Sequence, residues 1–333
     1  MHDRLLGSTG LTVSEIGFGA WGIGGVSNGA IGYGPTDDRE SLRALRRAFE
    51  LGMTFYDTAA LYGYGHSERL IGTALKDVRA RVVLASKVGF LNAEGSQDFS
   101  PDRIRTSLEG SLRRLQTDYL DLYQLHDPSL EVLERDDRIM ETLQALKREG
   151  KIRAVGLTAR SPDDALDAIR QFGVSCVQVN FNMLDQRARE NGLMTRCLSA
   201  HVGLIIRTPL CFGFLTGGYS SESLFDSMDH RSRWPAEQRA RWVEGHRVFA
   251  GTTQGPATAA QAALRFCLSY PAVSTVIPGM LAAQHVEENT VASQLGPLTQ
   301  SERIAVEKIY TDHQFFVGRE SHSVTGGAHA EVS

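Results

Sequence analysis

Short apolar, β-branched runs alternate along the chain with longer segments in which apolar side chains return every three or four positions. The first spacing suits a buried strand, the second one face of a helix. Eight strands are predicted, at 13–18, 54–57, 82–86, 120–125, 154–157, 176–179, 203–206 and 275–277. Helices are expected at 38–51, 67–75, 100–115, 139–148, 162–172, 190–200, 257–269 and 283–295. The first shows the pattern well, with Leu42, Leu45, Ala48 and Phe49 on one face. Ser100-Pro101 is a cap and first-turn pair, and Gly150 stops the helix before it.

Strict alternation of strand and helix implies parallel strands joined by crossover helices. An open α/β sandwich could use the same order. Eight units, with polar residues gathered just after the strands, favour a closed (β/α)8 barrel of the TIM type. Two regions fall outside the repeat: an insertion at 210–255, with a helical piece at 235–249, and a final helix at 298–313. The barrel domain is drawn at 1–314 and a polar tail at 315–333, loosely ordered from Gly318 onward.

In such a barrel the active site forms at the C-terminal ends of the strands. Reading those ends gives Asp57, Lys87 and His126, with Tyr62 on the loop after Asp57. Each alone has an ordinary structural reading, as a turn acid, a solvated lysine or a turn-starting histidine. On consecutive strand ends they form a set suited to carbonyl reduction. Hydride addition leaves charge on oxygen that needs a proton, and a free phenol, with a pKa near 10, gives one reluctantly. An adjacent ammonium lowers that pKa. Lys87 would do so, Asp57 would hold Lys87, and His126 would bond the substrate oxygen. No metal is called for.

Composition narrows the setting. The 333 residues are 42% hydrophobic with a net charge of −4, which allows a large core and gives no reason to expect nucleic acid or an anionic membrane as partner. Cys176, Cys197, Cys211 and Cys267 form no CxxC pair and lie in or beside apolar stretches, so buried free thiols in a reducing cytoplasm are expected. The first ten residues lack the apolar run of a signal peptide.

The stretches YDTAALYGYGHSERLIG (56–72), ASKVG (85–89) and YLDLYQLHDP (119–128) resemble the aldo-keto reductase family. The resemblance continues through GKIRAVGLT (150–158), VQVNFNMLDQR (177–187), TPLCFGFLTGGY (208–219) and VIPGM with VEEN (276–289). It implies a barrel carrying a nicotinamide cofactor across its mouth, with Tyr62 as proton donor supported by Asp57, Lys87 and His126. It further implies that Thr158 and Gln178 meet the nicotinamide carboxamide, although Ala159 stands where many relatives have Asn. Arg207 takes the place of a stacking Tyr, and a guanidinium plane can also stack on a ring. Thr208, Pro209, Leu210, Gly213 and Leu215 belong to the segment that would wrap the pyrophosphate, with Gly19 and Gly279 as further cofactor contacts. Glu288 and Asn289 would meet the adenine. Leu281, His285 and Gly218 stand where relatives that prefer NADPH often carry basic groups, which weakens the case for NADPH; the resemblance still implies NADPH first, with NADH close behind.

Gly17-Phe18-Gly19-Ala20-Trp21-Gly22 matches GxGxxG, but a glycine-rich loop follows it where a dinucleotide fingerprint needs a helix. The loop reads instead as part of the substrate mouth, with Trp21 an aromatic wall beside the nicotinamide. Asp229-His230-Arg231-Ser232-Arg233-Trp234 reads either as a contact for an anionic substrate or as a solvated basic loop with Trp234 turned inward. The substrate implied is a small aldehyde, ketone or sugar-like carbonyl. A cofactor-retaining isomerase or epimerase and a non-enzymatic redox sensor are the competing readings. Oligomeric state is not legible.

Overall fold

The computed structural model describes residues 1–253 and 255–318. A hairpin comes first, β1 (Asp3–Leu5) antiparallel to β2 (Thr12–Ser14). Eight parallel strands follow: β3 (Phe18–Gly19), β4 (Phe55–Asp57), β5 (Val83–Val88), β6 (Leu120–His126), β7 (Ile152–Thr158), β8 (Cys176–Asn180), β9 (Gly203–Arg207) and β10 (Val273–Val276). They pair in chain order from β3 to β10. The first strand meets the last through Gly17 N–H to Val276 O (2.8 Å), Val276 N–H to Glu15 O (2.9 Å) and Gly19 N–H to Pro278 O (3.0 Å). A methyl on Gly19 would lie 2.6 Å from Ile277 O, so the barrel closes there on a residue without a side chain.

Strand alternation sorts the interior into layers. The lower layer is apolar: Phe55, Val83, Ala85, Leu122, Ala154, Cys176, Ile205 and Ile277 form one buried cluster. Leu6, Leu11 and Val13 of the hairpin join it and plug the bottom of the barrel. Two or four residues further along the same strand faces stand Asp57, Lys87, Gln124, His126, Thr158, Gln178 and Arg207. The crossover helices pack outside, where a second, larger apolar cluster fills the space between helices and sheet.

Several expected boundaries move. The run 13–18 is not one strand, because residues 12–14 spend their edge on β1 and the backbone pairing with β4 and β10 is made by the stretch from Glu15 onward. The helix expected at 190–200 divides into Arg187–Glu190 and Leu193–Ala200, parted by Gly192 in a left-handed conformation (φ +84°). An additional short helix, Leu130–Arg135, lies between β6 and the helix Arg138–Arg148. The region 210–255 holds 3-10 turns at Cys211–Thr216 and His230–Arg233 and the helix Ala236–Phe249. The helix Gln300–Asp312 follows Ala283–Leu295 near the end of the chain.

Residues 315–317, ahead of the part of the tail expected to be loosely ordered, are held by contacts. Phe315 is buried against Phe249, and the Gln238 side chain donates to Phe315 O (2.8 Å) and accepts from Val317 N–H (2.9 Å). The rest of the tail, from 319, lies outside the described residues. None of the described helices is long and apolar enough to cross a membrane. All four cysteines are buried and unpaired.

The hairpin plug depends on Gly7, which has φ +55° and whose added Cβ would meet Gly203 N at 2.2 Å. Gly7→Ala therefore combines a backbone clash with left-handed strain. It should lower stability by about 2–4 kcal/mol, read as a fall in the urea midpoint at unchanged slope.

Candidate active site

The upper layer of the barrel encloses a buried ion pair. Lys87, on β5, points its Nζ at an oxygen of Asp57 on β4, and also donates to Thr58 O (2.9 Å). Its third contact is the Tyr62 hydroxyl at 3.1 Å. The other Asp57 oxygen accepts from the side-chain amides of Gln124 and Gln178, both at 3.0 Å. Gly156 on β7 leaves room for Gln124, since a Cβ there would crowd its Cγ at 3.1 Å.

Tyr62 reaches this group from the loop after β4, which turns through Gly63, Tyr64 and Gly65, all with positive φ. The Gly24 backbone packs so closely on Gly63 that no side chain fits at Gly63. Ser67 fastens the same loop to the strand ends, donating to Ala20 O and sharing a hydrogen bond with Thr58, each at 2.9 Å. His126, at the end of β6, meets Tyr62 edge-on with ring centroids 6.0 Å apart, and Phe90 packs on its other side. The four residues expected to do chemistry thus share one mouth.

Their electrostatics differ in one respect from the expectation for a phenol beside an ammonium. Burial pushes the Tyr62 phenol above its ordinary value, and the pull of Lys87 and Arg207 only partly offsets that push. For Lys87, burial presses the pKa down, but Asp57 and Tyr62 more than compensate and hold the ammonium charged.

The neighbouring strand ends carry the groups expected at the nicotinamide. Gln178 turns its amide to Asp57 and Gln124. Thr158 is engaged with Asp127, donating its hydroxyl to that carboxylate at 2.5 Å. Arg207 donates to Asp127, Asn180 and Ala159 O. Burial alone would raise the Asp127 pKa, yet Arg207, His126 and Thr158 together hold this carboxyl well below the usual carboxylate range.

Beyond β9 and β10 a cleft runs away from the mouth, lined by Thr208, Pro209, Leu210, Gly213, Gly279, Leu281, His285, Glu288 and Asn289. Leu215 is buried beneath it, and Gly19 serves barrel closure. The backbone passes from Leu210 (φ −99°, ψ 11°) to three left-handed residues, Cys211, Phe212 and Gly213. Right-handed-to-left-handed turns of this kind form anion-holding concavities. His285 accepts the Leu281 N–H on Nδ1 at 3.2 Å, and Glu288 accepts from the Thr258 hydroxyl at 2.8 Å.

A family model described as the aldo/keto reductase family matches residues 15–311. The chain belongs to the aldo/keto reductase family. Aldo-keto reductase YhdN of Bacillus subtilis is 34% identical over 252 residues, covering 73% of this chain and 72% of that protein. The NADH-specific methylglyoxal reductase of Escherichia coli is 30% identical over 307 residues, 86% of this chain and 92% of its own. The holo form of aldo-keto reductase AKR11C1 from Bacillus halodurans superposes with a TM-score of 0.77 at 28% identity, covering 97% of this chain and all of that one. This aldo/keto reductase is accordingly an NAD(P)H-dependent oxidoreductase acting on small carbonyl compounds.

Tertiary contacts add residues that the motifs did not single out. Gln124 could have been noticed, since it lies two positions before His126 and so on the same strand face. Asp127 stands beside His126 in the 119–128 stretch, where nothing in the sequence marks it apart from its neighbours. The 229–234 segment is solvated only in part: Asp229, His230 and Arg231 are buried, while Arg233 is exposed. Arg231 is buried on Asp229, bonds the Phe212 carbonyl at 3.3 Å and lines the cleft. Trp234 does pack inward, against Phe212 and Trp242. Trp21 packs on Tyr33 and His230, and His230 N–H bonds Gly32 O, so the insertion is stitched to the loop after β3.

The His230 ring lies among Trp21, Tyr33 and Phe212, and burial pushes its pKa down to about 4. A folded-state pKa below the unfolded value confers stability that is complete above the unfolded pKa and drains away as pH falls toward the folded one. Between pH 6.5 and 4.5 the reductase should therefore lose roughly 2–3 kcal/mol through this residue. Urea unfolding at the two pH values should show that loss, and His230→Phe should reduce it.

Proposed function

We propose that the reductase converts a small aldehyde or ketone to an alcohol with Tyr62 as proton donor. The observation that carries this reading is the position of Lys87 Nζ, which touches Asp57 and the Tyr62 hydroxyl at once. Bound nicotinamide would supply the hydride. Tyr62 holds the proton at its hydroxyl oxygen and releases it as charge develops on the substrate oxygen. Lys87 then stabilises the phenolate, and its own charge is secured by Asp57. His126 orients the carbonyl oxygen within reach of Tyr62. Thr158, Gln178 and Arg207 would hold the nicotinamide end, the turn at 210–213 the pyrophosphate, and Glu288 with Asn289 the adenine. Trp21 and the loop after β3 would form the wall of the substrate mouth.

NADPH is the cofactor proposed first. Discrimination against NADH should be modest, because the cleft offers Leu281 and a single imidazole, His285, at the expected 2′-phosphate. Arg231 lies nearby with its charge already spent on Asp229. The NADH-specific methylglyoxal reductase among the relatives supports keeping NADH open. The buried, unpaired thiols suit a reducing cytoplasm.

Tyr62→Phe should lower kcat by roughly 10²–10⁴-fold while cofactor affinity stays near wild type. Near wild-type turnover would sink the assignment of Tyr62. Lys87→Met should move the phenol titration further upward, seen as an alkaline shift of the pH–rate profile. An unchanged profile with only KM altered would make Lys87 a binding residue.

Leu281→Arg tests the adenosine end. It should raise the NADPH preference by about 1–3 kcal/mol, measured as the ratio of the two dissociation constants by fluorescence quenching.

A further inference from the structure

Asp127 directly follows His126 and has φ +50°, a left-handed conformation that aspartate and asparagine tolerate better than most residues. Reduction chemistry assigns it no part, yet it is held with care. One carboxylate oxygen takes the Thr158 hydroxyl at 2.5 Å, and Thr158 Oγ1 in turn accepts the Asp127 N–H at 2.9 Å. Arg207 Nη1 donates to both carboxylate oxygens, at 2.9 and 3.2 Å. The rest of the guanidinium is pinned by Asn180 Oδ1 to Nε (3.0 Å) and Ala159 O to Nη2 (2.9 Å).

The mouth thus holds two ion pairs, Asp57–Lys87 and Asp127–Arg207. Their charges cancel. Arg207 nonetheless acts across the mouth, since its field favours the Tyr62 phenolate. A nicotinamide ring changes charge by one unit in the reaction, neutral when reduced and cationic when oxidised. A bare guanidinium beside it would repel only the oxidised form, and partial burial would strengthen that repulsion.

We propose that Asp127 is a positioning residue that fixes Arg207 at the mouth and cancels its charge, so that the site accepts the oxidised ring as readily as the reduced one. The inference rests on the reading that the nicotinamide lies at this mouth. Asp127 would then set the balance between the two redox forms without touching the substrate.

The test compares dissociation constants of NADP⁺ and NADPH, by calorimetry and fluorescence quenching, for the whole protein and three variants. Asp127→Asn keeps size and left-handed tolerance while removing the charge. It should weaken NADP⁺ relative to NADPH on the order of tenfold. Arg207→Met, which leaves Asp127 uncompensated, should shift the ratio the opposite way. The double variant Asp127→Asn/Arg207→Met restores neutrality and should return the ratio to within about twofold of wild type.

Equal weakening of both forms in Asp127→Asn, or an unchanged ratio, would reduce Asp127 to a scaffold for the loop and overturn the proposal. So would a double variant that keeps the single variant's shift. Should Asp127→Asn fail to fold, the sign of the Arg207→Met shift decides alone. Wild-type protein that binds neither this pair nor NAD⁺ and NADH would instead overturn the cofactor reading itself.

Discussion

A lysine ammonium inside a closed barrel is the constraint around which the upper half of this protein is arranged. Lys87 is almost wholly removed from solvent, and an ion in that position costs several kcal/mol unless its surroundings replace water. Three acceptors do so: an Asp57 oxygen, Thr58 O and the Tyr62 hydroxyl. Asp57, equally buried, is satisfied in turn by Gln124 and Gln178. The missing side chain at Gly156 and the glutamines on β6 and β8 follow from that requirement. The apolar layer beneath, sealed by the hairpin, keeps water from entering below.

The same requirement bears on the role proposed for Tyr62 as proton donor. Burial alone would make the phenol a poor acid, and it does raise Tyr62. Lys87 works against that rise and is the group able to receive the phenolate once the proton has left. Its charge is secure because Asp57 is locked in place by two amides. Around the rim, Asp127 and Arg207 repeat the pattern of a paired acid and base, nearer to solvent.

The cleft beyond the mouth has a different construction. Its floor is a left-handed turn, and one wall depends on contacts between segments far apart in sequence. Asp229 pairs with Gly32 and Tyr33, and an aromatic group of Trp21, Tyr33, His230 and Phe212 joins the insertion to the loop after β3. Arg231, neutralised by Asp229, stacks under Tyr33 and Tyr219. Charge in this wall serves cohesion between loops.

The order of strands and helices was legible because periodicity is local, and eight alternating units leave few topologies. The grouping of Asp57, Tyr62, Lys87 and His126 was legible because strand ends are local too, and a barrel brings consecutive ends to one mouth. Resemblance over most of the chain added the cleft proposed for the cofactor, where nine of the expected residues line one surface. The split of the first strand could not be read, because it depends on which partner claims residues 12–14, and that partner is β1. Nor could the fate of Phe315, which is settled by a helix some seventy residues earlier. Gln124, Asp127 and Arg231 lie in stretches the sequence marks, but nothing in those stretches gives their partners. A buried amide, acid or guanidinium acquires its role only from the group it must satisfy, and folding alone decides which groups those are.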